Sequence, residues 1–265
     1  MSSGILSIEV IINGIKYHLD GQFCNGKIIS GLVKYDNVEL CGTFNNNMVL
    51  NGFNCQKKKG TRIFNGTFID GLLVDGSITE KGKIKEIGQY DKEYLIHGMR
   101  YTDECRLSGT FHYHHLTNGI IHFTDNTTHI GTFDYENKLL VGTIISPNGF
   151  TASVEFNRNR TLIKAFVNYT GDISKLSKEQ LVMYCCSGSD TELVARVYNK
   201  YFSQASCEML LMLRPEMFDV IDITDKMGID IIIKNLSKNR PIYVPAETIT
   251  DPINLLENDK YEKDH

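Results

Sequence analysis

The chain has no tryptophan, no Cys-x-x-Cys pair and no long apolar run. With nothing near the ~20 apolar residues of a membrane span, no transmembrane helix is expected. The seven cysteines (Cys24, Cys41, Cys55, Cys105, Cys185, Cys186 and Cys207) are odd in number and follow no framework spacing. Neither a disulfide scaffold nor a structural zinc site is therefore indicated. Charge of one sign is also lacking: 28 basic and 32 acidic residues leave a net −4. That balance supplies no global field for nucleic acid or an acidic membrane. Met1-Ser2-Ser3-Gly4 has no basic region, and residues 5–12 are interrupted by Ser7 and Glu9, which argues against a secretory signal. The usual phosphate-binding and catalytic signatures are missing: no GxGxxG before a helix, no Gly-x-x-x-x-Gly-Lys-Ser/Thr, no HExxH, no GxSxG. A reduced, soluble, cytoplasmic protein is expected.

What the chain does have is a repeat. An aromatic residue sits two positions after a recurring residue in Gly21-Gln22-Phe23, Gly42-Thr43-Phe44, Gly66-Thr67-Phe68, Gly88-Gln89-Tyr90, Gly109-Thr110-Phe111, Gly131-Thr132-Phe133 and Val154-Glu155-Phe156. The intervals are 21, 24, 22, 21, 22 and 23 residues. Such a period marks an array whose units bury their apolar faces against their neighbours. Polar residues or glycine follow the aromatic, as in Cys24-Asn25-Gly26 and Ile69-Asp70-Gly71, and suit the positive φ of tight hairpin turns. Then comes an aliphatic pair (Ile28-Ile29, Val49-Leu50, Leu73-Val74, Leu95-Ile96) and a second glycine (Gly31, Gly52, Gly76, Gly98, Gly119). Each unit reads as strand, tight turn, strand and longer connection, the glycine leaving flat space for the neighbouring ring. The fold class expected is mainly β with a helical C-terminus: a single-sheet antiparallel meander of seven hairpin units, capped by an α-helical module.

This pattern, Gly-x-aromatic-x-x-Gly with an aliphatic residue and a further glycine at 22–23 residues, resembles the MORN repeat over roughly residues 20–166, with Phe or Tyr where Trp is usual. The resemblance implies a twisted sheet with a groove for partner peptides or helices, and an association with acidic phospholipids in some members. On that basis Phe44, Phe68, Tyr90, Phe111 and Phe133 are the candidate partner-binding residues.

Residues 1–20, with apolar runs around Asn13-Gly14, are read as a capping hairpin, residues 21–170 as the array and residues 171–265 as the helical module. In the last of these, Ser177-Lys178-Glu179-Gln180 fits a capping box, a longer helix starts near Asp190, and Met209, Leu210, Met212 and Leu213 form an apolar run ended by Arg214-Pro215. A further helix is expected over 224–238, weakened by Gly228. After Arg240-Pro241 the chain reads as extended, with a short helix at Asp251-Pro252 and a frayed charged tail over 257–265.

Two clusters carry chemistry. His112, His114, His115, His122 and His129 gather five of the eight histidines, and His112-Tyr113-His114 falls in a tight turn. Carboxylates in the flanking turns (Asp91, Glu93, Asp134, Glu136) are expected near enough to raise the histidine pKa values. His112 and His114 are the candidate metal ligands if the chain is a metal-dependent hydrolase. Lys57, Lys58 and Lys59, with Lys81, Lys83 and Lys85 one unit on, are placed in stacked connections, a rim that would hold acidic headgroups. The leading expectation is a non-enzymatic scaffold or adaptor that binds a protein partner and carries no cofactor. A histidine-dependent hydrolase and a peripheral membrane adaptor are the alternatives, and nucleic acid is not expected as a partner.

Overall fold

The structure, a computed structural model, describes residues 4–188, 190–218 and 221–238. The extended stretch after Arg240-Pro241, the helix at Asp251-Pro252 and the charged tail lie outside the described residues. Among the described residues fifteen strands form one open antiparallel sheet in strict chain order. They are β1 (Gly4–Ile12), β2 (Ile15–Cys24), β3 (Lys27–Tyr35), β4 (Val38–Thr43), β5 (Gly52–Lys59), β6 (Arg62–Ile69), β7 (Leu72–Glu80) and β8 (Lys83–Asp91). There follow β9 (Tyr94–Tyr101), β10 (Cys105–His112), β11 (His115–Phe123), β12 (Thr128–Phe133), β13 (Leu139–Ile145), β14 (Thr151–Phe156) and β15 (Leu162–Asn168). The chain makes two compact units. One comprises the described residues up to Thr124 with Phe133–Asn137; the other comprises Asp125–Thr132 and the described residues from Lys138 on.

In the first unit, several hairpins close through two-residue turns with both residues left-handed, as at Asn13-Gly14 (φ 52° and 81°), Asn25-Gly26 (51° and 76°) and Asp70-Gly71 (48° and 80°). That geometry matches the twist of the flanking strands. The Asn13-Gly14 hairpin is not a separate cap, because β2 runs straight on into Gly21-Gln22-Phe23. The links between units are also short, at Asp36-Asn37, Gly60-Thr61 and Lys81-Gly82, in place of the longer connections the repeat pattern suggests.

The glycines align. Gly21, Gly31 and Gly42 stand opposite one another across β2, β3 and β4. Gly66, Gly76, Gly88, Gly98, Gly109 and Gly119 do the same from β6 to β11. A Cβ on Gly66 would lie 2.0 Å from the carbonyl oxygen of Asp75 and 2.7 Å from the Cα of Gly76. Glycine is therefore required by the backbone opposite, not by a neighbouring ring, and φ near 150° is open only to glycine. Gly52 is out of this row. A bulge around Phe53 and Asn54 puts Cys55 opposite Gly66 instead, which accounts for the 24-residue interval of that unit.

The sheet is folded along the glycine row. In a flat sheet, Lys57 on β5 and Glu93 in the turn after β8 would be roughly 27 Å apart, from ~3.3 Å per residue and ~4.8 Å per strand. Their side chains meet at 3.3 Å. One half of the folded strands carries the row Leu19, Val33, Leu40, Lys57, Phe64, Ile78, Glu86, Arg100, Leu107 and Ile121, each opposite the next. The other half carries the aromatic ladder paired with the first aliphatic of each unit: Phe23 with Ile28, Phe68 with Leu73, Tyr90 with Leu95, Phe111 with Leu116. These apolar side chains are the core of the unit.

In the second unit, helices α1 (Lys178–Cys185), α2 (Thr191–Tyr201), α3 (Cys207–Met212) and α4 (Ile223–Ser237) follow the last strands. Ser177 and Gln180 form the capping box of α1, and Asp190 caps α2 through the amide of Leu193. Gly228 lets α4 come close to α2, since a Cβ there would sit 2.7 Å from a methyl of Val197. Leu210 and Leu213 are buried in this core. The outward edge of β15 is closed by the α1–α2 link: the amide of Val167 donates to Ser187 Oγ, and the amide of Gly188 donates to the carbonyl of Ala165, both at 2.9 Å.

Candidate functional site

Among the two-residue turns with both residues left-handed, two have no glycine. Lys92-Glu93 joins β8 to β9 with φ of 49° and 72°; Tyr113-His114 joins β10 to β11 with φ of 44° and 73°. At the second position, where Gly14, Gly26, Gly71 and Gly82 sit in other turns, Glu93 and His114 accept a conformation that costs a side-chain-bearing residue about 1 kcal/mol or more. Both side chains are held by the opposite half of the folded sheet. Glu93 pairs with Lys57, whose ammonium also lies 5.7 Å from the centre of the Phe64 ring. The His114 ring nitrogen Nδ1 is 3.1 Å from an Arg100 guanidinium nitrogen, and the His114 carbonyl accepts from Arg100 as well.

Arg100 is the hub. Its guanidinium donates to Glu86 at 2.9 Å and lies 5.2 Å from the centre of the Phe111 ring. The two side chains of the Glu86–Arg100 pair are only 13% and 16% exposed, so the pair is shielded from solvent screening. Outside this buried pair is a cluster of exposed rings. Tyr94 packs on Tyr113 at 5.7 Å and on His114 at 4.7 Å, and His112 packs on Tyr113 at 4.4 Å. Tyr113 is 64% exposed. Tyrosines in such positions offer large, rigid, amphipathic contact area at little entropic cost.

His114 lies in the turn while His112 ends β10 just before it, and the five histidines do not converge. His115 pairs with His112 at the start of β11, while His122 lies at its far end opposite Arg106. The expected rise in histidine pKa is overturned at His114, which is held below the ordinary value by burial and by the Arg100 charge. Among the described residues no three of His, Cys, Asp and Glu are arranged to hold a metal ion. Phe44, Phe68, Tyr90, Phe111 and Phe133 are core: each is between 1% and 7% exposed, so these rings hold the array together and leave no surface to a partner. Tyr90 is the outlier among them, since its hydroxyl is buried without a hydrogen-bond partner and burial drives its pKa upward.

Lys57, Lys58 and Lys59 lie on β5 and not in a connection. Lys57 is taken by Glu93 and Lys58 by Glu39, at 3.3 and 3.4 Å, and Lys59 stays exposed at the strand end. Sequence reasoning missed Tyr94, Glu86 and Arg100. The visible signal was the replacement of the turn glycine by Glu93 and His114 in two adjacent units.

No protein-family model matches the chain, and no curated protein matches it. No helix among the described residues is long and apolar enough to cross a membrane.

Proposed function

We propose that the chain is a non-enzymatic interaction protein, a MORN-like repeat array that binds a partner protein through the ring cluster Tyr94, His112, Tyr113 and His114. The observation that carries this reading is the pair of non-glycine turns. Backbone strain is kept in two neighbouring units, and it is kept where it fixes an exposed aromatic surface on a rigid, buried ion pair. Strained residues held in place by their surroundings cluster at ligand-binding surfaces, which supports this reading. An enzyme that used His114 as a metal ligand or base would have to do so beside the Arg100 cation, which disfavours both roles. The helical unit supplies further surface, and no cofactor is part of the reading. A cytoplasmic setting is consistent with seven cysteines that form no disulfide among the described residues.

The test is affinity capture from the native host cell with the parent and with a Tyr94→Ala/Tyr113→Ala variant. The variant is expected to keep its urea midpoint and lose specific partners. Unchanged capture by the variant would remove the ring cluster from consideration, and turnover of a phosphoester by the parent would favour the hydrolase.

A further inference from the structure

The two ends of the strand order differ. Ser187 and Gly188 cover the free edge of β15, whereas among the described residues β1 pairs only with β2. β1 is nine residues long and apolar on both faces, with Ile5 and Ile11 78% and 75% exposed and Leu6 51% exposed. Ile8 stands opposite Leu19, the end of the core row on that half of the sheet, so the row ends on a half-buried isoleucine with no neighbour beyond it among the described residues. A long apolar edge of this kind is a template for another strand.

We propose that β1 pairs antiparallel with β1 of a second copy of this chain, about a two-fold axis through Ile8. The register follows from the turn and the sequence. The two-residue turn makes Ile12 and Ile15 a hydrogen-bonded pair, so the amides and carbonyls of Ile8 and Val10 point to β2. Those of Ile5, Ser7, Glu9 and Ile11 point to the open edge. An axis through Ile8 sets Ser7 against the partner's Glu9 and Ile5 against the partner's Ile11 as hydrogen-bonded pairs, about eight bonds in all. It also sets Ile8 against Ile8 and Leu6 against Val10 on the core face, continuing the apolar row into the second copy. Moving the axis to Glu9 would place two carboxylates directly opposite each other, a destabilising arrangement. Moving it to Ser7 would set Glu9 against Ile5. The chosen register also leaves Glu9 free to keep its 2.8 Å ion pair with Lys16 on β2. Of the three registers compared, this one sets apolar against apolar residues with no like charges opposed, and that match of the strand to itself makes a second copy the occupant. A single strand pair is a small interface, at or below the ~1,200 Å² where stable specific interfaces begin, so a weak, concentration-dependent dimer is expected.

Sedimentation velocity of the full chain from about 1 to about 100 µM tests the proposal. The parent should pass from monomer to dimer across this range. Ser7→Glu faces the partner's Glu9 and should raise the dissociation constant about tenfold, while Ser7→Lys should lower it by a similar factor. Ser7 also stands opposite Asp20 on β2, so urea midpoints of both variants are needed to show that each stays folded. Ile8→Cys gives a second readout, because cysteines at a non-hydrogen-bonded pair come within disulfide reach; mild oxidation should yield a covalent dimer whose cross-link maps to position 8 of both copies, which distinguishes it from any dimer through the exposed Cys41. A monomer at every concentration, equal effects of the two Ser7 variants, or no cross-link from Ile8→Cys would each overturn it.

Discussion

Gly109 and Gly119 face each other across β10 and β11 so closely that a methyl group on Gly109 would lie 2.1 Å from the carbonyl oxygen of Asn118. The obstruction is backbone on a paired strand, so it cannot swing aside. This contact, repeated from unit to unit, is what lets the strands fold at mid-length and enclose a core within a single sheet.

Gly109→Ala is accordingly expected to lose about 3 kcal/mol, from a backbone conformation closed to side chains plus the clash. Gly60→Ala, at φ 60° with nothing within 4 Å, should lose only about 1 kcal/mol. Urea midpoints of the two variants check this, and equal losses would show that the glycine row does not hold the fold.

Tyr90→Phe should stabilise the protein. The rings at the equivalent positions are phenylalanine, and the Tyr90 hydroxyl is buried without a partner. Removing it relieves a desolvation cost of about 1 kcal/mol while keeping the ring. Phe111→Ala, by contrast, should cost about 3–5 kcal/mol through the cavity it leaves.

Arg100→Ala leaves Glu86 shielded and unpaired and releases His114. A loss of about 3 kcal/mol in urea unfolding is expected. The near-ultraviolet signal of Tyr94 and Tyr113 should weaken as well, because the turn that orients them loses its anchor. Glu86→Gln should cost less, since the amide oxygen still accepts from Arg100.

Acid should weaken the fold before the carboxylates titrate. His114 and His129 are both held below the ordinary histidine value, chiefly by burial, with Arg100 and Arg160 adding to the effect and Asp125 opposing it at His129. The unfolded chain takes up these protons near pH 6.5 while the folded chain does not. Protons are then bound preferentially by the unfolded state, so stability declines as pH falls below about 6.5. Unfolding at pH 7.5 and 5.0 should show the decline, and His114→Asn with His129→Asn should flatten it.

The period, the turn signals at Asn13-Gly14, Asn25-Gly26 and Asp70-Gly71, and the capping box at Ser177 were legible in the sequence because each depends on local backbone chemistry. The folding of the strands was not. A glycine two residues before an aromatic looks the same whether it makes room for a ring or for a crossing carbonyl, and only the strand opposite decides. For the same reason Gly52 passes for a member of the glycine row, although Cys55 occupies that place. Lys57, Glu86 and Arg100 sit at inward positions where alternation leads one to expect aliphatics, because Lys57 and Arg100 have partners in turns of the opposite half and Glu86 pairs with Arg100 on the next strand. The ring cluster was legible in half: His112, Tyr113 and His114 are adjacent in sequence, but Tyr94 joins them only through the pairing of neighbouring hairpins.

The cover that Ser187 and Gly188 place on β15 bears on how far assembly can go. Growth of a sheet into a fibre needs two receptive edges per molecule, so that each added copy offers a fresh one. Here one edge is used up within the chain itself, by two hydrogen bonds from the α1–α2 link. Head-to-tail addition of β1 onto β15 is blocked, and any pairing through β1 closes on itself after one step. A Ser187→Pro or Gly188→Pro change that lifts this cover would turn a self-limiting molecule into one able to polymerise.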